Sequence, residues 1–216
     1  YVKERGVGYI ADHGTQMKRL QDVLDGVAMD PWQYRVLSAY LVSGTMQLSK
    51  YLHLPHPVAA SFICFRIVQD VIVLLLAFAY FRRLGLGSAY AIVGMITLAW
   101  GMGNSHFDSD FSFNTFFDVS FYLLAGLCVI QGRWIWVVPI TLFAALNRET
   151  SGLIPFLLLS KSSFPVNKGS LRRTMPVFVI SCAVYLVVFF GLRAYYGGRP
   201  LFLPYGHQPG FDLLRY

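Results

Sequence analysis

Residues 58–81 read VAASFICFRIVQDVIVLLLAFAYF, and Arg82-Arg83 follows at once. A helix of that length rises about 36 Å, enough to cross a hydrocarbon core of about 30 Å. Arg66 and Asp70 are the only charges in the run. They stand four apart, the spacing of an intrahelical pair that neutralises itself and packs against other helices. A helix apolar on every face needs lipid or a very large protein interior. This segment is therefore expected to span a bilayer.

The flanking sequence repeats the pattern. A second apolar run at 85–103 is rich in Gly and Ala, which suits close helix packing. A third covers about 113–130 and stops at Gly132-Arg133. The run 134–160 is long but broken by Asn147-Arg148-Glu149-Thr150, and a last span is expected at 175–192 after a polar loop at 161–173. Residues 193–216, rich in Gly, Pro and Tyr, read as a loop. Upstream, residues 12–25 carry Met17, Leu20 and Leu24 at helical spacing, with Gly26 as a stop signal. Residues 32–52 are aromatic and amphipathic, with Arg35 and Lys50 as their only charges, as in a helix lying in the interface. The expected fold is all-α: a polytopic transmembrane helix bundle over 58–192. An outer-face loop with amphipathic helices (1–57) precedes it, and an outer-face tail (193–216) follows.

Composition agrees. Hydrophobic residues make up 56% of the 216 and charged residues 13%, against roughly 25% charged in soluble proteins. The net charge of +7 sits largely in short loops, without the basic stripe a nucleic-acid partner needs. Cys64, Cys128 and Cys182 lie inside apolar runs and read as small hydrophobes. Arg82, Arg83, Arg133 and the basic 161–173 loop have no acidic residue among them, so the positive-inside rule assigns them to the cytoplasm. Arg133 and Lys161 then share one side, and 134–160 must go out and return. Each limb is short of the roughly 20 residues a full span needs. A short helical hairpin with Asn147–Thr150 at its tip is expected, a broken segment of the kind that persists only where protein or a wet cavity surrounds it.

Charge inside a bilayer is costly, by roughly 2.5–3.5 kcal/mol per group on insertion scales. Arg148 and Glu149 therefore need a reason. Arg148 could hold an anionic group such as a phosphate, with Glu149 orienting something nearby. Equally, the two could form an internal ion pair or cap the half-helices. Residues 104–110 read as a polar outer loop, in which Asp108 and Asp110, with His106 beside them and Asp118 further on, form a small acidic cluster: either hard oxygen ligands for a divalent metal or two solvated acids. Asp12 and His13 open the first amphipathic helix, as a cap or as a general base with its neighbour.

Together these stretches resemble the GT-C superfamily of membrane glycosyltransferases, which use polyprenyl-phosphate-linked sugars. Asp12-His13 with the helix to Gly26 and Pro31-Trp32-Gln33-Tyr34-Arg35-Val36-Leu37 is similar to that family's first outer loop. Asp108-Ser109-Asp110 through Asn114 and Asp118 looks like its second acidic site. Ala144-Ala145-Leu146-Asn147-Arg148-Glu149-Thr150-Ser151-Gly152-Leu153-Ile154-Pro155 resembles its short hairpin. The helix expected before Asp12 and the later helices are missing, and Tyr1 is not Met, which implies a partial chain.

The resemblance implies transfer of a sugar from a lipid-phosphate carrier on the outer membrane face. Asp12 would activate the acceptor hydroxyl, and Asp108 or Asp110 would assist through a metal. Arg148 would hold the lipid phosphate. His13, Arg35, Asn147 and Glu149, in the same stretches, are the candidate substrate-binding residues. Membrane lipids, a polyprenyl-phosphate sugar donor and other membrane subunits are the implied partners. The cytoplasmic (inner) membrane or an equivalent secretory membrane is the implied location. Two alternatives stand beside the transferase: a non-catalytic scaffold subunit of a larger membrane complex, and a transporter, since broken helices also occur there.

Overall fold

A computed structural model of the protein describes residues 13–109, 115–160 and 168–198, with side chains over 17–102, 116–160 and 172–198. Among the described residues the chain is an all-α bundle of eight helices: α1 (His13–Leu24), α2 (Val36–Tyr51), α3 (Pro57–Arg83), α4 (Ser88–Ser109), α5 (Thr115–Ile130), α6 (Val137–Asn147), α7 (Leu157–Ser160) and α8 (Lys168–Tyr196). Tight 3-10 turns join them at Trp32–Tyr34, Trp134–Trp136 and Glu149–Phe156.

The helix ends follow from local chemistry. Pro57 begins α3, where its missing N–H costs no helical bond. Arg82 and Arg83 close it in the last turn, on the negative end of the helix dipole. Gly85, at φ 90°, then lets the Leu86 N–H turn back to the Phe81 carbonyl at 3.2 Å. Gly26, at φ 74°, ends α1 in the same way, with the Val27 N–H on the Asp22 carbonyl at 2.8 Å.

Two helices are longer than the apolar runs suggested. α4 continues through Asn104 to Ser109, where a polar loop was expected, and α8 already starts at Lys168 within the expected 161–173 loop. Polar residues disfavour a helix by only a few tenths of a kcal/mol each. A drop in hydropathy therefore marks a change of surroundings and not the end of a helix. α3 and α8 are long and apolar enough to cross a membrane, with mean hydropathies of 2.2 and 2.4 over their most apolar windows. That arrangement is consistent with a polytopic membrane protein.

Three apolar clusters hold the bundle together. Leu20 and Val23 of α1 pack with Ala39, Val42 and Met46 of α2 against Phe62 and Phe65, in the first half of α3. Ala125 and Val129 of α5 meet Val137, Ile140 and Ala144 of α6, with Ile154, Leu158 and the start of α8 at Val177 and Phe178. Val73, Met102 and Phe116 join α3, α4 and α5. Gly126 lies against the Tyr80 ring, where a Cβ would come within 2.8 Å, so α3 and α5 end side by side. The exposed Arg82, Arg83, Arg133, Arg172 and Arg173 consequently gather at one end of the bundle. α1, α2 and the end of α8 share the other, where Arg193 lies 4.3 Å from the Tyr34 ring centre and the Tyr34 hydroxyl donates to the Gly197 carbonyl at 3.0 Å.

Candidate functional site

The break between α6 and the following 3-10 turn falls where the sequence places it. α6 runs to Asn147, Arg148 is extended at φ −162° and ψ 148°, and the 3-10 turn begins at Glu149. Irregular backbone packed inside a bundle needs partners for its carbonyls. Three hydroxyls supply them in succession. Ser151 Oγ donates to the Arg148 carbonyl at 2.7 Å, the Tyr185 hydroxyl to that of Glu149 at 2.8 Å, and the Tyr122 hydroxyl to that of Thr150 at 2.5 Å. Gly152 lets the Tyr185 ring close on the turn, since a Cβ there would come within 2.8 Å of the ring.

Tyr185→Phe keeps that ring contact and removes one donor. It is expected to cost about 1–3 kcal/mol, the penalty of an orphaned carbonyl, and to lower the Tm in detergent. Thermal unfolding of the variant beside wild type checks this, and an unchanged Tm would show that the Glu149 carbonyl finds water instead.

The side chains of the break reach across to other helices. Asn147 is fully buried and accepts a hydrogen bond from Ser38 Oγ of α2 at 2.6 Å. Glu149 pairs with Arg35, which sits between the Trp32–Tyr34 turn and α2. Both Arg35 Nη2, at 3.1 Å, and Nε, at 3.2 Å, reach Glu149 Oε2. Burial lowers the pKa of the Arg35 guanidinium from its ordinary value, and the Glu149 carboxylate pulls it back up. Arg148 faces Asp118 of α5 more loosely, with Nη1 3.8 Å from Oδ2. The same Oδ2 accepts from Thr150 Oγ1 at 2.8 Å. Arg148 and Glu149, adjacent in sequence, thus face a carboxylate on α5 and a guanidinium at the cap of α2.

Three atoms of this cluster are buried without a hydrogen-bond partner: Asp118 Oδ1, Arg148 Nε and Glu149 Oε1. Two are acceptors and one is a donor. Such groups call for an explanation, because an unmatched buried polar atom costs roughly 1–3 kcal/mol. A ligand that both donates and accepts hydrogen bonds, or ordered water, would satisfy them.

No protein-family profile, curated protein or solved structure matches this chain.

Of the candidates from sequence, Arg35, Asn147, Arg148 and Glu149 come together at the break. His13 opens α1 and Asp108 lies in the last turn of α4, but the side chains of both are outside the described residues, as are Asp12 and Asp110 entirely. The expected metal rested on Asp108 and Asp110. Among the described residues no three His, Cys, Asp or Glu side chains gather. The cluster at the break, two carboxylates each facing an arginine, does not suit a divalent cation. Asp118 is the residue that sequence reasoning undervalued. Its signal was available, since a carboxylate inside an apolar helix needs a partner. Ser38, Tyr122 and Tyr185 carried no signal, being ordinary residues of apolar helices.

Proposed function

We propose that the chain is a polytopic membrane protein of the glycosyltransferase kind, whose helix break binds the phosphate of a polyprenyl-phosphate sugar donor. The observation that carries this is convergence. Arg35 from the Pro31–Leu37 stretch, Asp118 from the acidic stretch and Arg148-Glu149 from the hairpin meet at one place. These are the three stretches in which the GT-C resemblance resides. Composition and spacing did not require them to touch.

The membrane part is supported by what the helices leave uncovered. Only 28% of the apolar window of α3 and 6% of that of α8 is buried inside the bundle. A core helix of a soluble protein would be mostly covered. Trp100 is 76% exposed and Val187 72%, large apolar side chains of the kind that mark an interaction surface where they cluster. The basic end would face the cytoplasm. About 20 Å of helix separates Asp118 from the turn at Gly132, so the break would lie toward the opposite face.

In the transfer, the acceptor hydroxyl oxygen bonds to the anomeric carbon as the bond from that carbon to the phosphate oxygen breaks. Negative charge grows on the departing lipid phosphate. Arg148 suits this moment: its side chain is 30% exposed and held to Asp118 at only 3.8 Å. It can turn to the phosphate while Thr150 keeps its hydrogen bond to Asp118. The Arg35–Glu149 pair keeps the second carboxylate of the cluster engaged, away from the anion. Asp12 would take the acceptor proton, with Asp108 or Asp110 assisting, as the resemblance implies.

A scaffold subunit is the second reading, favoured by the cluster's balance of two arginines against two carboxylates. Transfer assays separate the two. The full chain in nanodiscs, given a panel of polyprenyl-phosphate-linked hexoses and pentoses with radiolabelled sugar, is expected to release polyprenyl phosphate and label an acceptor. If no donor is turned over or bound, the cluster is a structural lock and the chain a scaffold.

A further inference from the structure

An open apolar groove of about 510 Å³ runs between α3, α4 and α5. Phe81 on α3, Gly94, Leu98 and Gly101 on α4, and Phe116 and Val119 on α5 line it. Glycine shapes it in two ways. At Gly94 a Cβ would come within 2.8 Å of the Phe81 ring, so the bare backbone lets α4 close on α3. At Gly101 nothing among the described residues lies within 4 Å of where a Cβ would stand, and the groove stays open there. Thr97 also lines it, but its hydroxyl already donates to the Val93 carbonyl at 3.0 Å. The walls thus present hydrocarbon to whatever lies there.

The Phe81–Gly94 end of the groove adjoins the basic end of α3. Arg82 and Arg83 follow Phe81 and are both exposed. Arg82 Nη1 donates to the Leu86 carbonyl at 3.0 Å, which holds its guanidinium over the turn between α3 and α4. No Asp or Glu occurs anywhere from residue 71 to 107. An occupant should therefore be hydrocarbon along its length and anionic at one end. We propose that the groove binds one acyl chain of an anionic phospholipid, whose phosphate is held by Arg82 and Arg83. This rests on the membrane part of the reading above and is independent of the transfer chemistry, so either can fail alone.

The size and charge fit. The groove volume lies in the usual range of small-molecule sites, and two arginines at a membrane surface favour an anionic lipid over a zwitterionic one by about thirtyfold. The test is native mass spectrometry of the full chain taken from membranes of equal phosphatidylglycerol and phosphatidylethanolamine. Wild type is expected to retain one phosphatidylglycerol. Gly101→Leu, which fills open space within a helix, should lower that retention by about tenfold, the equivalent of two buried methylenes. Thr97→Phe narrows the groove from an exposed position and should act likewise, so the idea stays testable if one variant folds poorly. Arg82→Gln/Arg83→Gln should keep a lipid but lose the preference for phosphatidylglycerol. Three results overturn the proposal. Retention could be unaffected by both groove-filling variants, the preference could survive the arginine changes, or wild type could be a dimer that Gly101→Leu splits. The last would assign the groove to a second copy.

Discussion

Arg148→Ala is expected to lower kcat for transfer from a polyprenyl-phosphate sugar by roughly a hundred- to a thousand-fold, the usual loss when one fixed donor to developing charge is removed. The guanidinium is placed for this use because its contact with Asp118, at 3.8 Å, is longer than a good ion-pair hydrogen bond. Arg148→Lys keeps the charge but not the planar fork, so a smaller loss of about tenfold is expected. Removing Arg148 also leaves the buried Asp118 carboxylate with Thr150 as its remaining hydrogen-bond donor, a structural cost of about 1–3 kcal/mol. Asp118→Asn in the Arg148→Ala background should return most of that stability and none of the turnover. If turnover returns together with stability, Arg148 is part of a structural lock and the transferase reading is wrong. Steady-state kinetics and thermal unfolding on the same four proteins distinguish these results.

Arg35→Met should destabilise the fold by about 2–4 kcal/mol. The pair it breaks has side chains 15% and 23% exposed, which sets it between fully buried ion pairs, costing about 3–5 kcal/mol to break, and surface pairs at about 0–1 kcal/mol. What is lost is chiefly the compensation of Glu149, whose Oε2 accepts from both Arg35 Nη2 and Nε. Arg35→Met/Glu149→Leu removes the stranded carboxylate as well. It should come back to within about 1 kcal/mol of wild type, since apolar pairs often replace buried ion pairs without loss. The hydrogen bond from Tyr185 reaches the backbone carbonyl of Glu149 and survives both changes. A double-mutant cycle followed by circular dichroism in graded detergent denaturant should therefore give a coupling energy of about 2 kcal/mol. A coupling below about 0.5 kcal/mol would mean that water reaches the pair and that α2 is not fastened to the hairpin through it.

The place of the helix break was legible because its cause is local. The run 134–160 is too short for two full spans, and Asn147-Arg148-Glu149-Thr150 interrupts it; α6 ends at Asn147. The stop near Gly26 was legible for the same reason, since a positive φ acts within a few residues. The extensions of α4 to Ser109 and of α8 back to Lys168 were not. Hydropathy reports the solvent a helix meets, and a helix can leave an apolar layer without unwinding.

The same division holds at the site. Sequence alone established that Arg148 and Glu149 sit at an interruption in apolar helix, and that unpaired charge there carries a penalty large enough to demand partners. It left open whether the two meet each other, and it ranked Asp108 and Asp110 above Asp118. Tertiary packing decided that Glu149 meets Arg35, 114 positions away, and that Thr150 binds Asp118, 32 positions away. A residue's cost of burial is set by its own chemistry and is readable from composition. Its partner is set by distances of a few ångströms between helices, which exist only once the bundle has packed.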